Sequence, residues 1–563
     1  MAGKTQNSKL KTQNLLYLKT LIASKENYPH IVLSIVSCLL LLIFLWWHWR
    51  LGMVRYFDAD ELAHLHYSAQ LLSGRRPYVD FLMFFPPGFI LFLAPAFAWG
   101  WGTTAPFLAA RYLLFLVFSA TCLIIGLLFW EQRRSWLAPA AAAILAFIPM
   151  PLDKYLEIRP DNLATLLLLL GMYLQIRWMK GAAQSAAAAS GILYSLSAIV
   201  LTKMVPNVAA TIFIAMIYLG LAGKGNLGNR IKAGWEYGKY FFIGLVVPVL
   251  LTFIWMLSLG DLGTVWYSLT SLTIESNKIS RYFIMMPDLF FYPNGIYYGL
   301  DGWSRGLLVN HGLWIIGILI GIYRLLTPYL TKNPKSKNSS YAHATEDKQN
   351  PNKVQISKSL NMDEKTVFTL SEILIGLQLA VGIVFYVLLV PLKHAQYLIP
   401  VAVFIAYYCA DGLDSLWQQL RKFKTGVYVY GAIFATLAFF LYQVFIEINT
   451  IKLSWTNTDF LSHTQELYNK IPQNEPVLDL DGKILYNPDA YYACCIPFGQ
   501  FSEFLSRPLP DLSATLENKA VKYINQGGLK RVRTLSYQDQ VYINANYHSF
   551  FGDETILVRN GNN

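Results

Sequence analysis

The sequence predicts a polytopic α-helical membrane protein ending in an external mixed α/β domain, and three observations predict it. Of 563 residues, 55% are hydrophobic and only 14% charged, a composition that calls for several membrane-spanning segments with room for one soluble unit. Apolar runs of that length recur between residues 31 and 445. Beyond residue 446 they give way to short helix-like and strand-like stretches.

The first 30 residues carry Lys4, Lys9, Lys11, Lys19 and Lys25. They read as a cytoplasmic leader ahead of an uncleaved signal anchor. Apolar runs then fall at 31–49, 107–130, 136–151, 161–178, 186–203, 205–222, 240–259, 307–323, 371–391, 396–410 and 425–445. One more, 87–101, is short and interrupted by Pro95. If it crosses, Arg133, Arg134, Arg177, Lys180, the 224–239 segment and the Lys-rich 331–365 stretch all lie outside. If it is re-entrant or interfacial, all of them lie inside with the N-terminus, as the positive-inside rule requires. The expectation is therefore about eleven spans, N-terminus in and C-terminus out.

On that plan 31–445 is the membrane domain, with 57–106 its first external loop carrying interfacial helices. A second external loop covers 260–306, and its aromatic and amide residues suit either a lid or an interfacial belt. Residues 329–370 form a cytoplasmic linker, and 446–563 form the external domain. In that tail 458–470 reads as a helix, and 477–480, 483–486, 541–543 and 555–558 read as strands.

The net charge of +12 sits in short loops between spans, so no nucleic-acid partner is needed to explain it. The five cysteines show no zinc-site or disulfide-framework spacing. The one glycosylation sequon, at Asn338, lies in the cytoplasmic linker, which favours a bacterial inner membrane.

Phe57-Asp58-Ala59-Asp60-Glu61-Leu62-Ala63-His64 places three carboxylates where the first span leaves the bilayer. Acids at that depth are costly and mark a site. Asp58 or Asp60 also suits a helix N-cap. On a helix from about 60 to 74, Asp60 and His64 share a face. That pair suits a divalent metal with waters completing its shell, and it equally suits an interfacial histidine with one hydrogen bond.

Glu157-Ile158-Arg159-Pro160-Asp161-Asn162 opens another apolar helix; a capped helix with an Arg–carboxylate pair accounts for it as well. Lys203, beside Pro206, either snorkels to the interface or meets a lipid phosphate. All of these groups fall on one face, so a single external cavity is expected.

Together the Asp60-Glu61 pair, the Gly74-x-x-Pro77-Tyr78-x-Asp80-Phe81 to Pro86-Pro87-Gly88 loop, the Ala109-Ala110-Arg111 span start and Glu157-x-Arg159-Pro160-Asp161 resemble the GT-C superfamily of membrane glycosyltransferases. The branch most similar is the bacterial relatives of protein O-mannosyltransferases and of the lipid A aminoarabinose transferase. The resemblance implies a GT-C fold and inverting transfer of a sugar from a polyprenyl-phosphate donor to a lipid, glycan or protein acceptor at the outer face. It implies Asp60 as general base with Glu61 beside it, and Arg111, Arg159 and Asp161 as substrate and phosphate contacts. The residues themselves add Asp58 to the catalytic set, Lys203 and Glu157 to the phosphate contacts, and His64 as a ligand for a possible divalent metal. The chain departs from the aminoarabinose branch at Phe84-Phe85, where that branch has Glu-Lys, and at Gln396-Tyr397, where the family has Arg-Tyr.

The residues support the same chemistry independently: a carboxylate takes the acceptor's proton, and cations or a metal meet the departing phosphate. A transporter or flippase, and a lipid-linked glycan polymerase or ligase, remain open alternatives on the residues alone.

Overall fold

The computed structural model describes residues 28–222, 227–276, 278, 305–330, 363–385, 395–495, 505–550 and 552–561. In chain order the first helices are α1 (Tyr28–Val54), α2 (Ala59–Leu72), α3 (Gly88–Leu93), α4 (Ala105–Arg133), α5 (Ala138–Phe147), α6 (Pro149–Tyr155) and α7 (Pro160–Met179). They are followed by α8 (Gln184–Val200), α9 (Val205–Ala222), α10 (Leu227–Ser258), α11 (Leu262–Leu269), α12 (Ser271–Ser276), α13 (Arg305–Leu330), α14 (Glu364–Val384), α15 (Ile399–Leu420) and α16 (Gly426–Thr450).

Among the described residues nine helices are long and apolar enough to cross a membrane. With the shorter apolar α5 and α8 they overlie the eleven expected apolar runs, but nine helices and not eleven have the length to cross among the described residues, and the chain is a multi-pass helical membrane protein. Only 11% of the apolar window of α10 and 22% of that of α16 lie inside the protein. Side chains such as Val246, Leu251 and Phe439 are left outside on those helices, the surface a lipid solvent requires.

The short run at 87–101 does not span. α3 and a 3-10 turn over Ala94–Trp99 make a 12-residue element, about 18 Å at 1.5 Å per residue, against a hydrocarbon core of roughly 30 Å. Gly88 lets it dock. A Cβ there would stand 2.7 Å from the Ile199 carbonyl oxygen at the end of α8, so any side chain would push the element away from the bundle.

The C-terminal sheet-bearing part comprises α17 (Thr458–Lys470), β1 (Val477–Asp479), α18 (Leu512–Asn518), β2 (Tyr523–Asn525), α19 (Tyr537–Asn546), β3 (Tyr547–Phe550) and β4 (Asp553–Arg559). Its sheet runs in the order β1-β2-β4-β3, with β1 and β2 parallel and the other pairs antiparallel. Two expected strands are absent. At 483–486 the Asp479 carboxylate takes the N–H groups of Asp481, Gly482 and Ile484, which holds a buried loop instead of a ladder. Residues 541–543 lie in α19, where Ser536 caps the Asp539 N–H at 3.1 Å and overrides the β-branched pattern.

Of the expected 260–306 loop, 260–276 and 278 are described; α12 and α11 pack on the sheet domain, with Glu275 accepting from the Ser506 N–H at 2.9 Å. The last two residues of that expected lid, 305–306, open α13, and residues 277 and 279–304 lie outside the described residues; of the expected linker 329–370, 331–362 lie outside them, while 329–330 end α13 and 364–370 already belong to α14.

At the end of the bundle remote from α2, Asp411 of α15 is fully buried and accepts from Arg133 of α4 at 2.6 Å and Arg324 of α13 at 2.6 Å. Arg133 also reaches Glu372 of α14 at 2.6 Å. Four helices are thereby tied by one carboxylate hub. Asp411→Ala leaves two guanidinium groups facing each other, and breaking such a buried pair costs about 3–5 kcal/mol. The expected result is a clear fall in the thermal unfolding midpoint of the detergent-solubilised protein, with the exposed pair variant Glu236→Ala as the unaffected control.

Candidate active site

The acidic stretch begins as a helix cap. Asp58 is the N-cap of α2, its carboxylate accepting from the Asp60 N–H at 3.0 Å, while Glu61 accepts from the Asp58 N–H at 2.9 Å. This reciprocal pair is a capping box. It turns Glu61 inward and leaves Asp60 facing out, with 58% of its side chain exposed.

Glu61 is fully buried and fully engaged. Arg111 reaches it through Nε at 3.0 Å and Nη2 at 2.9 Å, the Ile158 N–H donates at 3.0 Å, and Arg55 stands at 3.5 Å. The remaining N–H groups of Arg111 go to the carbonyls of Gly52, Arg55 and Tyr56. An arginine has five such donors, and all five are spent. The expected phosphate contact by Arg111, and the expected proton chemistry of Glu61, have no free atom to act through. The two form a structural clip joining α1, α2, α4 and the 156–159 turn.

The array continues outward. Arg55 meets the fully buried Glu157 at 2.7 Å, and Lys154 meets it at 2.6 Å. Glu157 also pairs with Nε of Arg159. Arg159, in extended backbone just ahead of Pro160, then reaches Asp60 at 2.7 Å and Asp58 at 3.2 Å. Glu157 is therefore the hub of three cations and has no freedom to bind substrate directly. Neither Arg55 nor Lys154 stood out in the sequence, although each sits beside the carboxylates it serves.

The two outer acids are pushed apart. Burial and the neighbouring Glu157 raise the Asp58 carboxyl above its ordinary value. Crowding by protein also raises Asp60, but the Arg159 guanidinium outweighs it and holds that carboxyl well below the usual carboxylate range. Asp60 is thus an ionised, accessible carboxylate.

At the same end of the bundle lies a narrow cleft of about 20 Å³, lined by Asp161, Lys203, Asn207, Phe385, Tyr397 and Val401 among others. The Lys203 ammonium sits 3.7 Å from the centre of the Tyr397 ring, a cation–π seat. Asp161, buried in the wall, lies within electrostatic reach of Lys203, Arg159 and Asp60. The residues expected to converge do so: Asp58, Asp60, Glu61, Arg111, Glu157, Arg159, Asp161 and Lys203 share one end of the bundle.

His64 fits a metal poorly. Burial lowers its pKa to about 4. Its ring packs edge-on to Phe85 and Phe89 at 5.0 Å each. The carboxylates around it already hold Arg159, Lys154 and Arg55, which would repel a divalent ion placed among them.

No protein-family profile and no curated protein matches the chain. Among solved structures it is similar to the oligosaccharyltransferase of Archaeoglobus fulgidus tethered to an acceptor peptide, at 11% identity and TM-score 0.48, over 93% of this chain and 72% of that one. The same archaeal enzyme with an inhibitory peptide and a dolichol-phosphate gives 11% and 0.45, over 95% and 75%. ArnT from Cupriavidus metallidurans in the apo state gives 14% and 0.45, over 94% and 97%. At TM-scores below one half these likenesses carry no weight for the chemistry, which rests on the residues.

The array separates buried scaffold from accessible group. Glu61→Gln is expected to lower stability by about 3–5 kcal/mol, because it strands the buried Arg111 guanidinium. Asp60→Asn, at an exposed carboxylate, is expected to change it by less than about 1 kcal/mol. Thermal unfolding of both variants in the same detergent checks the contrast.

Proposed function

We propose that the protein is an inverting glycosyltransferase of GT-C type that moves a sugar from a polyprenyl-phosphate donor to an acceptor hydroxyl. The observation that carries the reading is the exposed, ionised Asp60 held by Arg159, within electrostatic reach of Asp161 in the wall of the lysine-bearing cleft. The basic ends of the spans sit at the other end of the bundle from this cleft, which supports an external, periplasmic position for it.

The donor phosphate lies in the cleft against Lys203, with Arg159 on its Asp60 side. The acceptor hydroxyl approaches C1 of the sugar from the face opposite the phosphate. As its oxygen bonds to C1, its proton passes to Asp60, and the bond from C1 to the phosphate oxygen breaks. The electron pair leaves with that oxygen, and the lipid phosphate is stabilised by Lys203 and Arg159 in a site with little water. Inversion at C1 follows from the single displacement. Asp161 sets the orientation of Lys203, and Glu61, Arg111, Arg55 and Glu157 keep Arg159 in place without touching substrate. Phe84 and Phe85, beside the neutral His64, make that flank apolar and favour an uncharged sugar.

Transfer from radiolabelled polyprenyl-phosphate sugars by purified protein tests the reading. Asp60→Asn is expected to lose about 10²–10⁴-fold in kcat, the usual contribution of a general base, with its unfolding midpoint retained. Equal activity of the variant would remove Asp60 from the chemistry. Lys203→Gln is expected to raise KM for the donor about tenfold or more, for one lost charge-assisted contact.

The depressed Asp60 carboxyl carries a pH prediction with a definite sign. The base stays ionised on acidification until below the ordinary carboxylate value of about 4. The acidic limb of kcat/KM is therefore expected below pH about 4, measured over the range in which the fold persists. A limb near pH 6 would assign the proton to another group.

A further inference from the structure

One buried cluster takes no part in the transfer site. His66 lies on α2 and faces the sheet domain, where Cys494 and Cys495 are joined to each other as a disulfide. The three residues are 0%, 2% and 3% exposed, and one donor atom from each lies within 4.8 Å of the others. Nε2 of His66 is bonded to the Asp489 carboxylate at 2.8 Å. Nδ1 has no hydrogen-bond partner, and the Asp479 carboxylate stands 3.7 Å from it.

An imidazole with one nitrogen fixed by a carboxylate and the other unpartnered in a buried pocket is how metal-ligating histidines are held. Two sulfurs and one such nitrogen form the donor set of a thiophilic d10 cation. We propose that Cys494, Cys495 and His66 form a zinc-type site that opens when the disulfide is reduced. Two electrons and two protons from a thiol reductant open the S–S bond to two thiols, while the reductant closes to its own disulfide. The ion then displaces both thiol protons to solvent and binds two thiolates and Nδ1.

Donors around tetrahedral zinc stand roughly 3.3–3.8 Å apart, so the histidine side needs to close by about 1 Å and the sulfurs to part. Asp479 stays an outer charge, because its oxygens already accept from Asp481, Gly482, Ile484 and Asn525. Space at the site depends on Gly482, at φ +87°. A Cβ there would stand 3.1 Å from Cys495 Sγ and 3.2 Å from the Ala63 nitrogen of α2. Arg531 fixes the backbone beneath the second sulfur through the carbonyls of Leu480 and Cys495 at 2.8 and 2.7 Å. In the oxidised chain the sulfurs are bonded to each other and the site is closed. In the reduced, loaded chain the ion bonds α2 directly to the sheet domain.

The test uses the full chain in detergent. Oxidised protein and protein reduced with excess monothiol are each given zinc chloride, desalted anaerobically and measured for zinc by mass spectrometry. The expected result is one zinc per reduced chain and none per oxidised chain. Cobalt in place of zinc is expected to give a thiolate-to-cobalt charge-transfer band in the near ultraviolet. Cys494→Ser with Cys495→Ser keeps the His66–Asp489 pair, and it is expected to lose both signals at an unchanged elution volume. Asp489→Asn is expected to weaken zinc binding about 10–100-fold. Equal zinc in the oxidised and reduced chains, zinc retained by the double serine variant, or a cobalt complex lacking the thiolate band would each overturn the proposal.

Discussion

Two fully buried carboxylates, Glu61 and Glu157, set the terms for everything around them. An ionised carboxylate removed from water is tolerated only when cations and N–H groups fill its lone pairs. Here that requirement recruits Arg111 from α4, Arg55 from the end of α1, and Lys154 and Arg159 from either side of the 156–159 turn. The result is a line of alternating charge from the bundle interior to its mouth, ending on Asp60. The last carboxylate differs from the two buried ones in being uncovered. That difference is what marks it as the proposed base.

α2 is held from two sides. Its N-terminus belongs to this line, while its body is pinned to the sheet domain. Besides the His66–Asp489 contact, Gln70 donates to the Asn487 carbonyl at 2.9 Å, and Arg75 stands 3.4 Å from Asp489. The sheet domain also reaches the neighbouring loop, with Tyr486 donating to the Thr103 carbonyl at 2.7 Å. The C-terminal sheet-bearing part thus buttresses the helix that presents Asp60. Its own chemistry-bearing groups, the cysteine pair facing His66, lie at that buttress and not in the cleft.

Much of this was legible in the chain itself. Hydropathy was enough to mark the apolar helices, nine of them long enough to cross among the described residues, and the shorter element at 87–101, because lipid as solvent leaves few alternatives. The start of α2 was legible to within two residues: the sequence left its cap between Asp58 and Asp60, and the reciprocal bonds of Asp58 and Glu61 place it on Asp58. Which acid was scaffold and which was open to the cleft was not legible. Asp60 and Glu61 are adjacent, and only the inward turn of one and the outward turn of the other separates them. Nor did the sequence single out Arg55, whose pair with Glu157 joins distant segments and leaves no local signature, or Lys154, although its i,i+3 spacing to Glu157 was a local signal that could have found it. The surroundings of His64 and His66 were illegible for the same reason: both lie on α2, and only tertiary contacts tell that His66 lies near the cysteine pair and His64 against Phe85 and Phe89.

The serial arrangement of charges also limits how the site can change. Arg55, Glu157 and Arg159 each have a charged partner on both sides, so altering one member changes the worth of the next. Energies of residues sharing partners in this way are not additive, with couplings of roughly 0.5–3 kcal/mol. Double-mutant cycles along the line should show strong epistasis between neighbours, fading by the third position. A charge reversal that is ruinous alone becomes tolerable with its complement. Substitution in this region is therefore expected to proceed by paired replacement, and co-variation would follow the order Arg111, Glu61, Arg55, Glu157, Arg159, Asp60 and not their order along the chain.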